Sequence, residues 1–131
     1  MKKIIKIVLV ILWMILIFML SNQSGNESQS LSDNIICSFM NNCNPELYSF
    51  IVRKAAHFTL YFILGILTFI NFKSNKENMI YALIICVIYA FTDEIHQMFV
   101  NSRSGELRDI IIDSLGALSS ILIMYKIRKR D

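Results

Sequence analysis

A chain of 131 residues that is 55% hydrophobic, with a mean hydropathy of +0.53 and a single proline, is too apolar and too rarely interrupted by turns to be an ordinary soluble domain. The net charge of +3 is small, and the cations gather at two places: Lys2, Lys3 and Lys6 near the start, and Lys126, Arg128, Lys129 and Arg130 near the end. Both clusters flank apolar runs, so membrane topology explains them and no nucleic-acid partner is expected.

The first apolar run, residues 4–20, follows a basic start like that of a signal peptide. No A-x-A-like cleavage site follows it, so it reads as an uncleaved first span. At 1.5 Å per residue it covers about 25 Å, enough to cross if Lys6 snorkels to the interface. The small polar stretch SNQSGNESQSLS cannot stay in lipid and marks emergence on the far side. Beyond it, Ser32 or Asp33 could cap a short interfacial helix with Ile35, Ile36, Phe39 and Met40 on one face. Cys37 and Cys43 are close enough to pair in an oxidising exterior, or to be small buried hydrophobes, whereas Cys86 lies mid-span. Three cysteines exclude a disulfide framework.

Asn44-Pro45-Glu46 is a helix start, with an N-cap, a proline at the first helical position and an acid in the first turn. The helix should run from Pro45 to about Phe72, with its membrane part at residues 55–72. KSNKEN is a polar turn, residues 79–99 form a third span, NSRSGELR is a loop, and residues 109–125 form a fourth span ending in KIRKR. The expected fold is therefore an all-α polytopic membrane bundle of four transmembrane helices in one domain, residues 1–131. Positive charge at both termini and in the 73–78 turn favours both termini inside, although Arg53, Lys54, Arg103 and Arg108 lie on the other side.

Ionisable residues within these spans need an explanation, because a carboxylate in hydrocarbon costs about 2.5–3.5 kcal/mol even on lenient scales. Arg53, His57, Tyr61 and Gly65 recur every fourth residue and form one stripe of the second span. Asp93 and Gln97, with Glu94 and His96 beside them, form another, and Asp109 and Asp113 a third, continued by Gly116, Ala117 and Ser120. Counting from Lys6 to Gln23, from Lys73 back to His57, from Glu77 to Asp93 and from Lys126 back to Asp109 gives about 16 or 17 residues each, or about 24–26 Å. Independent snorkelling explains one such residue but not four at one level. A shared outward-facing polar pocket does, and so would an ion-pair network of Arg53, Arg103 and Arg108 with the acids.

Several chemistries fit these residue types. His57 and His96 with Asp93, Glu94 or Asp113 offer N and O ligands, but no H-E-x-x-H or similar motif closes, so no metal and no cofactor is expected. A histidine beside a carboxylate can act as general base, and arginines can bind an anionic phosphate, which suits a lipid-linked phosphate substrate. Ser102, Ser104 and Thr92 lack the Gly-x-Ser-x-Gly context of an activated nucleophile, so an enzyme and a binding protein are both compatible with the chain.

The blocks SNQSG, RKAAHFTLYFILG, TDEIHQMF, RSGELRD and DSLGA, in this order and spacing, make residues 21–117 resemble the VanZ-like family of small bacterial membrane proteins. The resemblance points to Gln23, Arg53, Lys54, His57, Tyr61, Asp93, Glu94, Gln97, Arg103, Asp109 and Gly116. Asn101-Ser102 stands where that family often has Pro-Gly, and Asp113 where it often has Asn. The resemblance implies a multi-pass protein of the bacterial cytoplasmic membrane, in a family associated with resistance to teicoplanin-type glycopeptides. It further implies action in the cell envelope, on membrane lipids, a lipid-linked envelope precursor or a lipoglycopeptide. A non-enzymatic protein binding a lipid headgroup or partner is the alternative, and a small transporter subunit the third reading. No residue is singled out as catalytic; His57, Asp93, Glu94, Asp109 and Asp113 are the pocket candidates for such a role. Gln23, Arg53, Lys54, Tyr61, Gln97 and Arg103 are the substrate-binding candidates.

Overall fold

The computed structural model describes residues 3–22, 45–100 and 106–130. Four helices account for them: α1 (Lys3–Ser21), α2 (Pro45–Phe69), α3 (Lys76–Gln97) and α4 (Leu107–Arg130), with no strand among the described residues. Each contains a stretch long and apolar enough to cross a membrane, at Lys3–Ser21, Phe50–Phe69, Lys76–Gln97 and Leu107–Lys129. The expected interfacial helix, the loop 101–105 and the Cys37–Cys43 question lie outside the described residues.

The ends of the helices follow from local chemistry. α2 stops at Phe69, three residues before the expected end, because the backbone tightens: Asn71 N–H donates to Thr68 O and Phe72 N–H to Phe69 O, at 3.1 and 3.0 Å. The Asn71 amide also donates to Leu67 O at 2.8 Å, satisfying a carbonyl the helix leaves open. α3 starts at Lys76 rather than near residue 79. Asn75 is its N-cap, with Oδ1 accepting from Asn78 N–H at 2.8 Å, and Glu77 lies in the first turn. KSNKEN is thus partly turn and partly first helical turn.

The chain start and the α2 and α4 C-termini share one end of the bundle. Lys6 Nζ donates to Ile70 O and an Arg128 guanidinium N–H to Phe69 O, both at 3.2 Å, so two cations meet the carbonyl end of α2. Arg128 also lies over the Phe69 ring, 5.4 Å from its centroid.

α2 and α4 are the most closely packed pair, and the small-residue stripe explains why. Gly116 faces the Phe58 carbonyl of α2, and Gly65 faces Ala117 and Ser120 of α4, both without room for a Cβ. Around this seam lie two clusters. Ile17, Tyr61, Leu64, Cys86, Ala90, Ile110 and Ala117 form one, and Phe69, Ala82 and Ile121 the other. α1 packs more loosely, leaving one side of Ile4, Ile11, Leu12, Ile15 and Met19 for lipid. Side-chain hydrogen bonds hold it: Trp13 Nε1–H donates to Leu60 O at 2.9 Å, and Tyr89 O–H donates to Met14 O. In a medium without water such donors have few other partners, so each fixes where α1 docks.

Candidate functional site

At the end of the bundle away from Lys6 and Arg128, buried polar side chains from all four helices meet. Asp93 of α3 accepts at Oδ2 from Ser21 Oγ of α1 at 2.9 Å and from Gln97 Nε2 at 3.1 Å, and Gln97 also donates to Ser21 Oγ at 3.3 Å. The Asp93/Gln97 contact is the one-turn spacing read from the sequence. His57 of α2 brings Nδ1 to 3.3 Å from Asp113 Oδ1 of α4, close enough for charges to interact but without the alignment of a hydrogen bond. His57, Asp93 and Asp113 together offer one nitrogen and two carboxylate oxygens that all lie within 4.8 Å of one another. Tyr61, one turn along α2 from His57, is fully buried, and its hydroxyl has no hydrogen-bond partner among the described residues.

A second, more peripheral group adjoins it. Lys54 of α2 forms ion pairs with Asp109 and, at 3.2 Å, with Glu106, while its ammonium lies 5.0 Å from the Phe50 ring centroid. Glu94 is buried and accepts the backbone N–H of Glu106, tying α3 to the start of α4. The neighbours Asp93 and Glu94 thus point to different partners, as about 100° per helical residue requires.

Some candidates fall elsewhere. Arg53 is half-buried on α2 and makes no ion pair among the described residues. His96 stacks on Phe18 of α1, with ring centroids 4.3 Å apart, and takes no place in the His57 cluster. Thr92 is exposed and donates to Tyr89 O, the bond of a surface hydroxyl returning to its own helix. Gln23, Arg103, Ser102 and Ser104 lie outside the described residues.

The level inferred by counting differs on α4. Counting from Lys126 selects Asp109, but it is Asp113 that meets His57, while Asp109 pairs with Lys54. The reason lies at the other end: Arg128, not Lys126, reaches the α2 terminus, which moves the reference point along α4 toward Asp113. Ser21 and Glu106 join the group without a signal in the sequence that places them there. Ser21 begins the polar stretch expected to leave the membrane and is instead the last residue of α1; Glu106 has no periodic partner in the sequence and is located only by the fold.

The model of the VanZ/LLP1 family matches residues 6–128, nearly the whole chain. The chain belongs to the VanZ/LLP1 family. With its four apolar helices, this VanZ/LLP1 chain is a multi-pass membrane protein. No curated protein and no solved structure matches it significantly.

Proposed function

We propose that the polar end of the bundle forms an outward-facing pocket at the outer leaflet of a bacterial plasma membrane, acting on envelope chemistry that sets susceptibility to teicoplanin-type lipoglycopeptides. The observation that carries this reading is the meeting of His57, Asp93 and Asp113 from three helices, supported by Ser21 and Gln97. Ionisable groups are rarely brought together inside a membrane protein without a use, because each must be desolvated. Lys54, half-screened by Phe50 and anchored by two acids, and Arg53 beside it are suited to an anionic headgroup approaching from the same side. In this arrangement His57 is the proton carrier, and Asp113 holds it on the face shared with Tyr61.

A headgroup-binding protein without catalysis is the second reading, favoured by Thr92 facing away from the cluster. His57→Gln separates the two. A general base lost to an amide lowers the rate by about 100- to 10,000-fold, whereas a hydrogen-bonding ligand so replaced costs about 1 kcal/mol. The expected result is loss of protection in lipoglycopeptide dose-response assays at equal protein level, with Arg53→Lys weakening it. Full protection by His57→Gln would remove the base and leave the binding protein. No effect of the wild-type chain on susceptibility would refute the lipoglycopeptide role.

A further inference from the structure

We propose that His57, Asp93 and Asp113 form a binding site for one divalent first-row transition cation, such as Zn2+ or Mn2+, at the polar end of the bundle. The site would present the cation to the anionic headgroup of the function proposed above, with His57 then acting as a ligand in place of the proton carrier named there; it rests on that reading for its use but not for its existence.

Four observations lead there. First, the three ligand atoms lie within 4.8 Å of one another, so that small inward side-chain movements bring them to the separations of about 3.3–4.4 Å that ligands sharing one cation take with bonds of about 2.0–2.2 Å. Second, His57 Nδ1 and Asp113 Oδ1 are 3.3 Å apart without hydrogen-bond alignment. Adjacent ligands on a tetrahedral ion with bonds of about 2.0–2.1 Å are separated by about 3.3–3.4 Å. Third, Asp113 is 1% exposed, and apart from the 3.3 Å approach of His57 Nδ1 to Oδ1 its carboxylate oxygens take no hydrogen bond among the described residues, an under-satisfied condition for a buried carboxylate. Fourth, the Tyr61 hydroxyl is buried and without a hydrogen-bond partner among the described residues, within electrostatic range of Asp93 and Asp113, where it can donate to a water or substrate oxygen on the ion.

The surroundings support the same assignment. Ser21 and Gln97 both donate to Asp93 Oδ2, the kind of outer contact that orients a ligating carboxylate. Lys54 is engaged by Asp109 and Glu106 rather than by the cluster. A dication offsets the repulsion of two buried carboxylates held near each other. One imidazole with two carboxylates suits Zn2+, Mn2+ or Fe2+ better than Mg2+ or Ca2+, which favour oxygen alone. Three protein ligands leave coordination positions for a phosphate oxygen. The ligands come from three helices, so no contiguous motif in the sequence announces them.

The test uses the full chain in detergent micelles, with any affinity tag removed, stripped with a chelator and desalted. Elemental analysis after re-equilibration with Zn2+ or Mn2+ should give about one ion per chain, and Co2+ should give d–d absorption bands. Asp113→Asn and His57→Gln should each weaken binding by more than about 100-fold, beyond the about 10- to 100-fold that an outer-contact residue costs. His96→Gln, outside the cluster, should bind as wild type. Substoichiometric metal in the wild type, or undiminished binding in both ligand variants, overturns the proposal. If those variants fail to fold, X-ray absorption of the Zn2+-loaded wild type decides: one imidazole among oxygen ligands supports the site, and a sulfur-containing or imidazole-free shell overturns it. Stoichiometric binding without any susceptibility phenotype would sink the function proposed above and leave the metal site standing. A phenotype without metal would do the reverse.

Discussion

Gly116→Val probes the seam on which the polar site is built. A Cβ placed on Gly116 lies 2.5 Å from the Phe58 carbonyl oxygen and 3.3 Å from both the Phe58 carbonyl carbon and the Phe62 nitrogen. All three are backbone atoms of α2, so no rotamer change relieves the contact. Ordinary contact begins at 3.4 Å, so α2 and α4 must separate by 0.9 Å at this point. His57 precedes Phe58, and Asp113 lies one turn before Gly116, so the same movement opens their 3.3 Å approach, to about 4.2 Å at most. Overpacking of this kind costs about 1–3 kcal/mol. Alanine would blur the result, because its helix propensity exceeds that of glycine by about 1 kcal/mol; valine returns less of the loss. The assay is SDS-induced unfolding in mixed micelles, followed by the fluorescence of the single tryptophan, Trp13, which docks on Leu60 of α2. The expected outcome is a lower unfolding midpoint for Gly116→Val, with the lipid-facing control Leu115→Val close to wild type. A Gly116→Val midpoint at or above wild type would show that these backbones do not meet, and the seam argument would fail.

Lys54→Met removes the cation from Asp109, whose side chain is 10% exposed, and should destabilise the bundle by about 3–5 kcal/mol. Adding Asp109→Leu should recover most of the loss; equal midpoints for the single and double variants would refute a coupled pair. Asp93→Asn should abolish the envelope phenotype, whereas Glu94→Gln, whose amide oxygen still accepts the Glu106 N–H, should leave it largely intact. The reverse pattern at equal protein levels would show that the pocket lies on the other side of α3. In a cysteine-free background, Cys at Asn22 should react with an impermeant thiol reagent in intact cells and Cys at Asn75 should not. Labelling at Asn75 alone would invert the topology and end the outward-pocket reading.

The helices and their polar faces were legible in the sequence because both depend on neighbours a few residues away. Apolar runs of about membrane-spanning length favour helix, which satisfies its own backbone, and the four-residue recurrence of Arg53, His57, Tyr61 and Gly65 puts them on one side. Pro45 as the first residue of α2 and the Gly116-Ala117-Ser120 packing face were readable on the same grounds. Contacts across helices were not. Which acid meets His57 depends on how far α4 slides along α2, and that is set by glycine-to-backbone contact at Gly116 and by Arg128 reaching Phe69. A slide of one turn exchanges Asp109 for Asp113 without altering either helix. The roles of Ser21 and Glu106 likewise depend on where α1 ends and α4 begins in space. Local periodicity fixes the face each helix presents, whereas the axial register between helices, a tertiary quantity, decides which side chains become partners.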